Sequence, residues 1–472
     1  MKKHNLILLC VLIGVMSLLT ACGQPAQEKT GDVVYIQLGD EKILMDGKKV
    51  GSDARHPVYA ANDIVYYEEG KDFTYGEGSE KDAHNVEEAA AHTVVHITEP
   101  GTYSLSGSLS KGQIAVDLGE DAKENPEAVV TLLLEGVDIT CEVAPAVIFY
   151  DVYECGTDDA DQASKDVDTS KAGANVVIAD GTTNTINGSY VEKIYEPGSV
   201  VFNDDKTEVA DAEKLHKYDG AFYSRRTMNV TGEENGDGIL NIYAQNEGLD
   251  SELHLTINGG IINIYSGNDG INTNEDGVSV TTVNGGTLTI KVTGETGEGD
   301  GIDSNGWLVI NGGKVIASAC ADSADAGIDS DMGIHIQGGT VIASGHMLDR
   351  IEEGGQTYTV FNLPEKQKDA EILYLKDSDG NDVTELCPEN AYSVLIYSSP
   401  ELKTGTYALW NQDGEKLCES GDGMFAPGKG GPGMEPPDGR EHPEGMEPAE
   451  GFEGMQPPDG MEPPEKPEEF SF

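Results

Sequence analysis

The sequence has few basic residues. Its 30 Lys and Arg stand against 85 Asp and Glu, which gives a formal net charge of −55. Nucleic acid and anionic lipid headgroups require clustered Lys and Arg, so this balance excludes both as natural partners. Cations are the partners that such a charge favours. An anionic polymer would bind only where metal ions reverse the local sign of the field.

Closely spaced cysteines are also lacking. The 7 cysteines include no Cys-x-x-Cys pair, so the common zinc-site spacings are excluded. Outside the membrane, disulfides between Cys141 and Cys155 or between Cys387 and Cys418 are an alternative to buried thiols. The sequence alone favours the thiols but keeps both readings open.

The chain has no hydrophobic run long enough for a comfortable bilayer span. The apolar stretch from Leu6 to Leu19 is short, follows two lysines and ends in Leu-Thr-Ala-Cys, which predicts a signal peptide over residues 1–21. This ending resembles the lipobox of bacterial lipoproteins, so we expect Cys22 to carry a lipid anchor at the extracellular face of the cell membrane. An ordinary secretory signal followed by a chance cysteine is the alternative.

Aliphatic residues are nearly absent from both flanking segments. Residues 427–472 consist largely of Pro, Gly, Met and Glu, which predicts a disordered acidic tail, and residues 22–30 form a short polar tether. Before the tail, apolar runs at 372–375, 392–397 and 407–410 predict a small antiparallel β unit over 346–426. We expect this unit to cap the domain that precedes it.

A repeat is present in the middle of the chain. Gly-Gly pairs preceded by an amide recur at steps of 26, 27 and 26 residues, beginning at Asn258, Asn284, Asn311 and Gln337. Between them apolar residues alternate, as at Ile262 and Ile264, which is typical of strands with one buried face. A period of this length indicates a solenoid. The sequence therefore predicts an all-β fold, a right-handed parallel β-helix over 31–345.

Acidic residues recur at one corner of each repeat. Leu249, Ile271, Ile302 and Ile328 align as an inward ladder, and an acidic or amide side chain follows each of them. Carboxylates stacked at the strand spacing of ~4.8 Å repel one another unless a cation neutralises them, and one Ca²⁺ can bind oxygens of two adjacent repeats. The predicted Ca²⁺ ligands are Asp250, Asp269, Asn272, Asp300, Asp303, Asp329 and Asp331. The alternative is that the Asp-Gly and Asn-Gly pairs only form turns, which is the interpretation we favour for the Asn258 column.

Aromatic residues fall at outward positions of neighbouring repeats. Tyr243, Tyr265 and Trp307 are predicted to stack against sugar rings, since exposed aromatic rings suit the apolar faces of sugars. Packing against a loop or against the 346–426 unit is the alternative. We expect the protein to be a monomer.

Several motifs together carry a resemblance to a known family. They are Gly-Thr-Tyr-Ser-Leu-Ser-Gly-Ser-Leu at 101–109, Ala-Asp-Gly-Thr-Thr-Asn-Thr-Ile at 179–186, the Asp-Gly-Ile-Asp corners and the lipobox. Over residues 90–345 the chain resembles clostridial-type surface carbohydrate-binding lipoproteins. The resemblance implies a calcium-bearing right-handed β-helix, similar in fold to family-nine pectate lyases, that binds acidic pectin-like polysaccharide and also cellulose. Insertions around 120–128, 151–172 and 190–218 depart from the family pattern.

Three functions are compatible with these observations. Non-catalytic polysaccharide binding is favoured. A calcium-dependent lyase needs a Lys or Arg as base beside the metal, and Lys291, Lys314, Arg225 and Arg226 are the candidates, although none lies within an Asp-rich corner. A surface adhesin or structural spacer is the third.

Overall fold

The structure is a computed structural model in which residues 33–420 are described. The predicted signal peptide, Cys22, the tether and the acidic tail lie outside the described residues. Within the described range the chain is almost entirely β, with one α-helix, Val86–Ala90, and one 3-10 helix, Glu120–Glu124. Neither of these helices is long and apolar enough to cross a bilayer.

The strands up to the end of the insertion at 190–218 are as follows: β1 Val34–Leu38, β2 Leu44–Met45, β3 Lys48–Lys49, β4 Val58–Ala61, β5 Thr93–Ile97, β6 Gly101–Leu109, β7 Gly112–Val116, β8 Val130–Cys141, β9 Val147–Phe149, β10 Ala174–Ile178, β11 Thr183–Gly188, β12 Val191–Tyr195, β13 Val201–Phe202, β14 Val209–Asp211 and β15 Lys214–Tyr218. Strands β12 to β15 are the insertion at 190–218, in which β12 pairs with β15 and β13 with β14, both antiparallel.

The regular repeats follow, and then the C-terminal strands: β16 Gly220–Ser224, β17 Met228–Gly232, β18 Ile239–Ala244, β19 Glu247–Ser251, β20 His254–Ile257, β21 Ile261–Ser266, β22 Ile271–Thr273, β23 Val280–Val283, β24 Thr287–Val292, β25 Trp307–Ile310, β26 Lys314–Ser318, β27 Gly333–Ile336, β28 Thr340–Gly345, β29 Tyr358–Gln367, β30 Leu373–Asp377, β31 Asp382–Leu386, β32 Tyr392–Ser398, β33 Tyr407–Trp410 and β34 Lys416–Glu419.

Successive repeats pair in parallel and form three rows of strands. Row 1 contains β10, β17, β20, β23, β25 and β27. Row 2 contains β11, β18, β21, β24, β26 and β28. Row 3 contains β5, β7, β9, β16, β19 and β22. The long strands β6 and β8 run through rows 1 and 2 and pair with each other in parallel.

The strand register places similar residues of successive repeats beside one another. In row 2, Ile262 pairs with Leu288, which pairs with Val315 and then Val341. All four side chains are fully buried, as is the row 3 ladder of Leu249, Ile271, Ile302 and Ile328. Each repeat covers its apolar face with the next repeat, so the core is continuous along the stack. The alternation read from the sequence therefore corresponds to buried ladders.

Pairing becomes antiparallel after β28. Strand β32 lies between β28 and β29 and is antiparallel to both. A four-stranded antiparallel sheet in the order β31-β30-β33-β34 follows. These strands enclose a separate apolar cluster that includes Phe361, Leu375, Leu395 and Leu409. Earlier in the chain, Cys141 and Cys155 are free thiols, with Cys141 buried.

Candidate functional site

The recurring acidic and amide side chains line up along row 3. Strand pairing places Asp250 directly beside Asn272, and an isolated bridge between Ile271 and Ile302 continues the register toward Asp303. Pairing of Gly220 with Glu247 sets Asp219 at the start of the same line. We call this set the acidic column: Asp219, Glu247, Asp250, Asp269, Asn272, Asp300, Asp303, Asp329 and Asp331.

The first part of the acidic column is buried rather than exposed along an edge. Asp250 is 0% exposed, Glu247 4% and Asn272 7%. Neighbouring amide side chains cover two of these carboxylates. Asn274 donates to Asp250 Oδ1 at 2.6 Å, and Asn272 donates to Glu247 Oε1 at 3.0 Å. Solvent therefore does not screen these charges.

Three carboxylates meet in this buried part. Asp219, Glu247 and Asp250 each offer an oxygen, and the three oxygens lie within 4.8 Å of one another. Among residues 33–420 this is the one group of three or more acidic, His or Cys side chains that is gathered so tightly. Of the three, only Asp250 is among the ligands predicted from the sequence. Glu247 could have been predicted from its position shortly before the ladder residue Leu249. Asp219 precedes a less regular repeat, so the sequence pattern gave less indication of it.

Several oxygens at this cluster have no partner. Glu247 Oε2, Asp250 Oδ2 and Asn272 Oδ1 are buried and accept no hydrogen bond from the described residues. A buried acceptor without a donor costs about 1–3 kcal/mol, and more when it is charged. An oxygen-only donor set with spare lone pairs is the set that Ca²⁺ prefers. The residues present therefore fit a calcium ion, which would neutralise charge and hold adjacent repeats together.

One cation does reach the cluster, and the sequence reading missed it. Lys217, at the end of the 190–218 insertion, places Nζ 2.7 Å from Asp219 Oδ2. Burial opposes its charged form, but the negative charges of Asp219, Glu247 and Asp250 outweigh that effect and raise the pKa of Lys217. Its ammonium group thus stays protonated at neutral pH. No repeat contains a lysine at this position, so periodicity gave no signal for it.

Burial and mutual repulsion dominate the acid–base properties of the column. Burial, reinforced by neighbouring carboxylates, raises the pKa of Glu247 and of Asp250 well above the usual range. Burial likewise raises the pKa of Asp269, Asp303 and Asp329 to about 7, again with contributions from nearby acids. Unless a cation balances their negative charge, these carboxyl groups bind protons more readily than ordinary Asp and Glu side chains do.

In the later part of the acidic column, some carboxylates accept hydrogen bonds within turns and others are partly or fully exposed to solvent. Asp269 Oδ1 accepts the Asp300 backbone N–H at 2.6 Å, and Asp300 Oδ1 accepts the Ala326 N–H at 2.5 Å. These bonds are the turn role that the sequence left as an alternative. Asp303 and Asp329 are half-buried, and Asp331 is exposed. None of these five predicted ligands belongs to the tight three-carboxylate group.

The aromatic candidates do not form one surface. Tyr243 and Tyr265 lie in row 2, are 45% and 37% exposed, and stack with ring centroids 5.1 Å apart and planes 8° from parallel. Each ring therefore turns one face toward the other. Trp307 begins β25 in row 1 and is half-buried. Exposure of the two tyrosines excludes their burial beneath a loop, so a shared platform is confined to this pair.

The basic residues considered for lyase chemistry lie elsewhere. Arg226 pairs with Asp151 at 2.6 Å, and Arg225 approaches the same carboxylate at 3.4 Å. Lys291 and Lys314 belong to β24 and β26 of row 2. Lys291 and Lys314 therefore lie outside row 3, which contains the acidic column. Arg225 and Arg226 directly follow β16 of row 3, but they pair with Asp151 and not with the buried carboxylates of the column.

Comparisons with known proteins give one family. No curated protein matches the chain. A solved structure, that of the polysaccharide lyase-like protein from C. thermocellum in a gadolinium derivative, is 18% identical and covers 65% of this chain and 93% of that one, with a TM-score of 0.35. A TM-score this low establishes no shared fold. The family model for carbohydrate-binding domain-containing proteins matches residues 91–359, more than half of the chain. The chain therefore belongs to the family of carbohydrate-binding domain-containing proteins.

Proposed function

We propose that this protein is a non-catalytic, calcium-dependent binder of acidic, pectin-like polysaccharide at the bacterial cell surface, with cellulose as a further ligand. The observation that carries the proposal is the buried cluster of Asp219, Glu247 and Asp250 with its unpartnered oxygens. Family membership supports carbohydrate binding in general. The cluster adds the metal, because three buried carboxylates beside one lysine leave an excess of negative charge.

The proposed scaffold is a right-handed parallel β-helix. Three rows of parallel strands with one-to-one register between repeats support it, as do the continuous ladders of buried aliphatic residues. In such a scaffold equivalent side chains recur at ~4.8 Å, about twice a Ca²⁺–oxygen bond of 2.3–2.6 Å. One ion between adjacent repeats can then bind oxygens from both.

Calcium would have two roles along the acidic column. At Asp219, Glu247 and Asp250 it would be enclosed, so its effect there is on stability. Near Asp303 and Asp329, which are half-buried, and the exposed Asp331, a bound ion would remain accessible to a ligand. An accessible ion reverses the local field and can accept the carboxylate of a uronic acid, which the chain's overall charge would otherwise repel.

The test is binding of polygalacturonate with calcium and with chelator. Asp303→Ala should weaken both calcium affinity and polygalacturonate binding, while the Ile302 ladder keeps the fold. Asp138→Asn is a suitable control, since Asp138 is an exposed acid in row 2. Normal polygalacturonate binding by Asp303→Ala after loss of calcium would show that the ions are structural only.

A calcium-dependent lyase is the second candidate, and Lys217 is the observation that favours it. It is the lysine that lies beside the proposed metal cluster. A lyase base must accept the proton alpha to the uronate carboxylate, and the raised pKa of Lys217 opposes this role because the amine is already protonated. Release of unsaturated oligouronides that stops in Lys217→Met would establish the lyase.

The remaining parts of the proposal concern location and assembly. The lipobox motif supports anchoring through Cys22 at the extracellular face of the membrane. The protein is proposed to act as a monomer. Both are accessible to simple measurements, membrane fractionation in the first case and light scattering of the mature protein in the second.

A further inference from the structure

A concave surface lies on row 1, away from the acidic column. Its cavity has a volume of about 1060 Å³, and its lining contains only three charged residues, Lys165, Asp166 and Asp168. All three belong to the 151–172 insertion, which forms one wall. The rest of the lining carries no charged side chain, although the net charge of the whole chain is −55.

The floor of this groove is a run of amides on successive repeats, which we call the amide column: Asn258, Asn284, Asn311 and Gln337. Asn284 donates to Asn258 Oδ1 at 2.8 Å, and Asn311 donates to Asn284 Oδ1 at 2.9 Å. An amide has two N–H donors and two acceptor lone pairs, so Asn284, which donates one ladder bond and accepts another, keeps at least one N–H and one lone pair for a ligand. These side chains are exposed.

A second line of side chains runs beside the amide column, deeper in the groove. Register pairs Asn229 with Thr256 and Thr256 with Thr282. Asn229 Oδ1 is buried and accepts no hydrogen bond from the described residues. The same register continues this line to Asn175 at one end and to Val309 at the other. Neighbouring members are one strand spacing apart, so the four steps of the line cover about 19 Å.

Hydrogen bonds hold the wall formed by the 151–172 insertion against the floor of the groove. Thr169 contacts the floor twice: its carbonyl accepts from Asn229 Nδ2 at 2.8 Å, and its hydroxyl lies 2.8 Å from that of Thr256. The charges of the wall are also satisfied locally. Lys165 Nζ donates to Asp166 at 2.6 Å, and Asp168 accepts the Ser170 backbone N–H. The groove therefore offers little net charge to a ligand.

We propose that this groove binds a neutral polysaccharide chain laid along the stack of strands, an inference that rests on the proposed function because it takes polysaccharide as the ligand class. A hydroxyl group is both donor and acceptor, which matches amides that have one of each in reserve. A polysaccharide carries polar groups at regular intervals, which suits a floor on which amide side chains also recur at regular intervals. An anionic polymer would meet a strongly negative chain with a single, already paired lysine, so a neutral chain is favoured.

The experiment compares two amides that differ in location but not in ladder role. Asn311→Ala removes a side chain that donates one ladder bond inside the groove. Asn263→Ala removes one that donates a single ladder bond, to Asn241 at 2.9 Å, in row 2 outside it. Affinities are measured by calorimetry for cellohexaose, xylohexaose and mannohexaose, and for hexagalacturonate with calcium. Matched melting temperatures check the fold.

Asn311→Ala should lower affinity for a neutral hexasaccharide about threefold to tenfold, while Asn263→Ala should not. Asn284→Asp, which puts a charge at the centre of the floor, should lower it further. Neither groove variant should change hexagalacturonate binding. Amides of residues 165–170 should exchange more slowly when the neutral chain is bound.

Two results would overturn the groove while leaving the acidic column intact. One is a protein that binds hexagalacturonate but none of the three neutral chains. The other is neutral binding that Asn311→Ala and Asn284→Asp leave unchanged. Loss of hexagalacturonate binding alone would instead count against the proposed function, and a protein that binds neither class would overturn both.

Discussion

Replacing Asp303 by Asn should have opposite effects on stability with and without calcium. Burial raises the pKa of Asp303 from 3.8 to about 7, a difference of about 3 units. At 1.36 kcal/mol per unit, ionising this carboxyl in the folded protein costs about 4 kcal/mol, an upper limit because the fold can relax around the charge. Asparagine keeps the shape and removes the charge.

The sign of the pH dependence follows from proton binding. Between pH 3.8 and about 7 the folded state binds more protons at Asp303 than the unfolded state does. The free energy of unfolding of the calcium-free protein must therefore fall as pH rises through this window, and the loss is complete above it. In chelator, Asp303→Asn should equal the parent near pH 4 and exceed it by up to about 4 kcal/mol at pH 8.

With calcium in excess the order should reverse. The parent carboxylate would then bind the ion, and the variant would lose that ligand, so Asp303→Asn should unfold at lower urea concentration than the parent. Urea unfolding at pH 4 and pH 8, with calcium or with chelator, gives all four comparisons. Asp138→Asn should change none of them, because Asp138 is exposed. Destabilisation of equal size in calcium and in chelator would refute the reasoning, since it would mean that Asp303 does not face an ion.

Three further predictions follow from the fold and the proposed site. Asp250→Asn should abolish most of the calcium-dependent rise in stability, about 2.7 kcal/mol at a hundredfold excess over the dissociation constant, as measured by thermal unfolding with and without chelator. Ile302→Ala removes a fully buried ladder residue and should cost about 2–5 kcal/mol in urea unfolding, in calcium and chelator alike. Cys22→Ser should release the protein from the membrane fraction, and unchanged retention of a correctly cleaved product would contradict the anchor.

The regular part of the fold was accessible from the sequence because it repeats. Alternation at Ile262 and Ile264 and the corner residues Leu249 and Ile271 align by inspection, and all four are fully buried. Stacked repeats bury each residue against its own equivalent, so a periodic pattern fixes the strand register. The same logic places Asp250 beside Asn272.

The segments that cover the acidic column could not be predicted from the repeat. Lys217 comes from an insertion with no counterpart in other repeats, and Asn274 covers Asp250 from a loop of variable length. Periodicity says which side chains share a line but not what lies over the line. Burial of Asp250, and hence its raised pKa, follows from those irregular segments.

The insertions create distinct sites along an otherwise uniform stack of repeats. A regular column presents the same side chains at every step, so by itself it favours no particular position for a ligand. The 190–218 insertion places Lys217 against one end of the acidic column, and the 151–172 insertion encloses the amide column through Thr169. The two insertions act on different rows, row 3 and row 1. Charged and neutral chains would therefore meet different surfaces, and their binding should be additive rather than competitive when hexagalacturonate and a neutral hexasaccharide are titrated together.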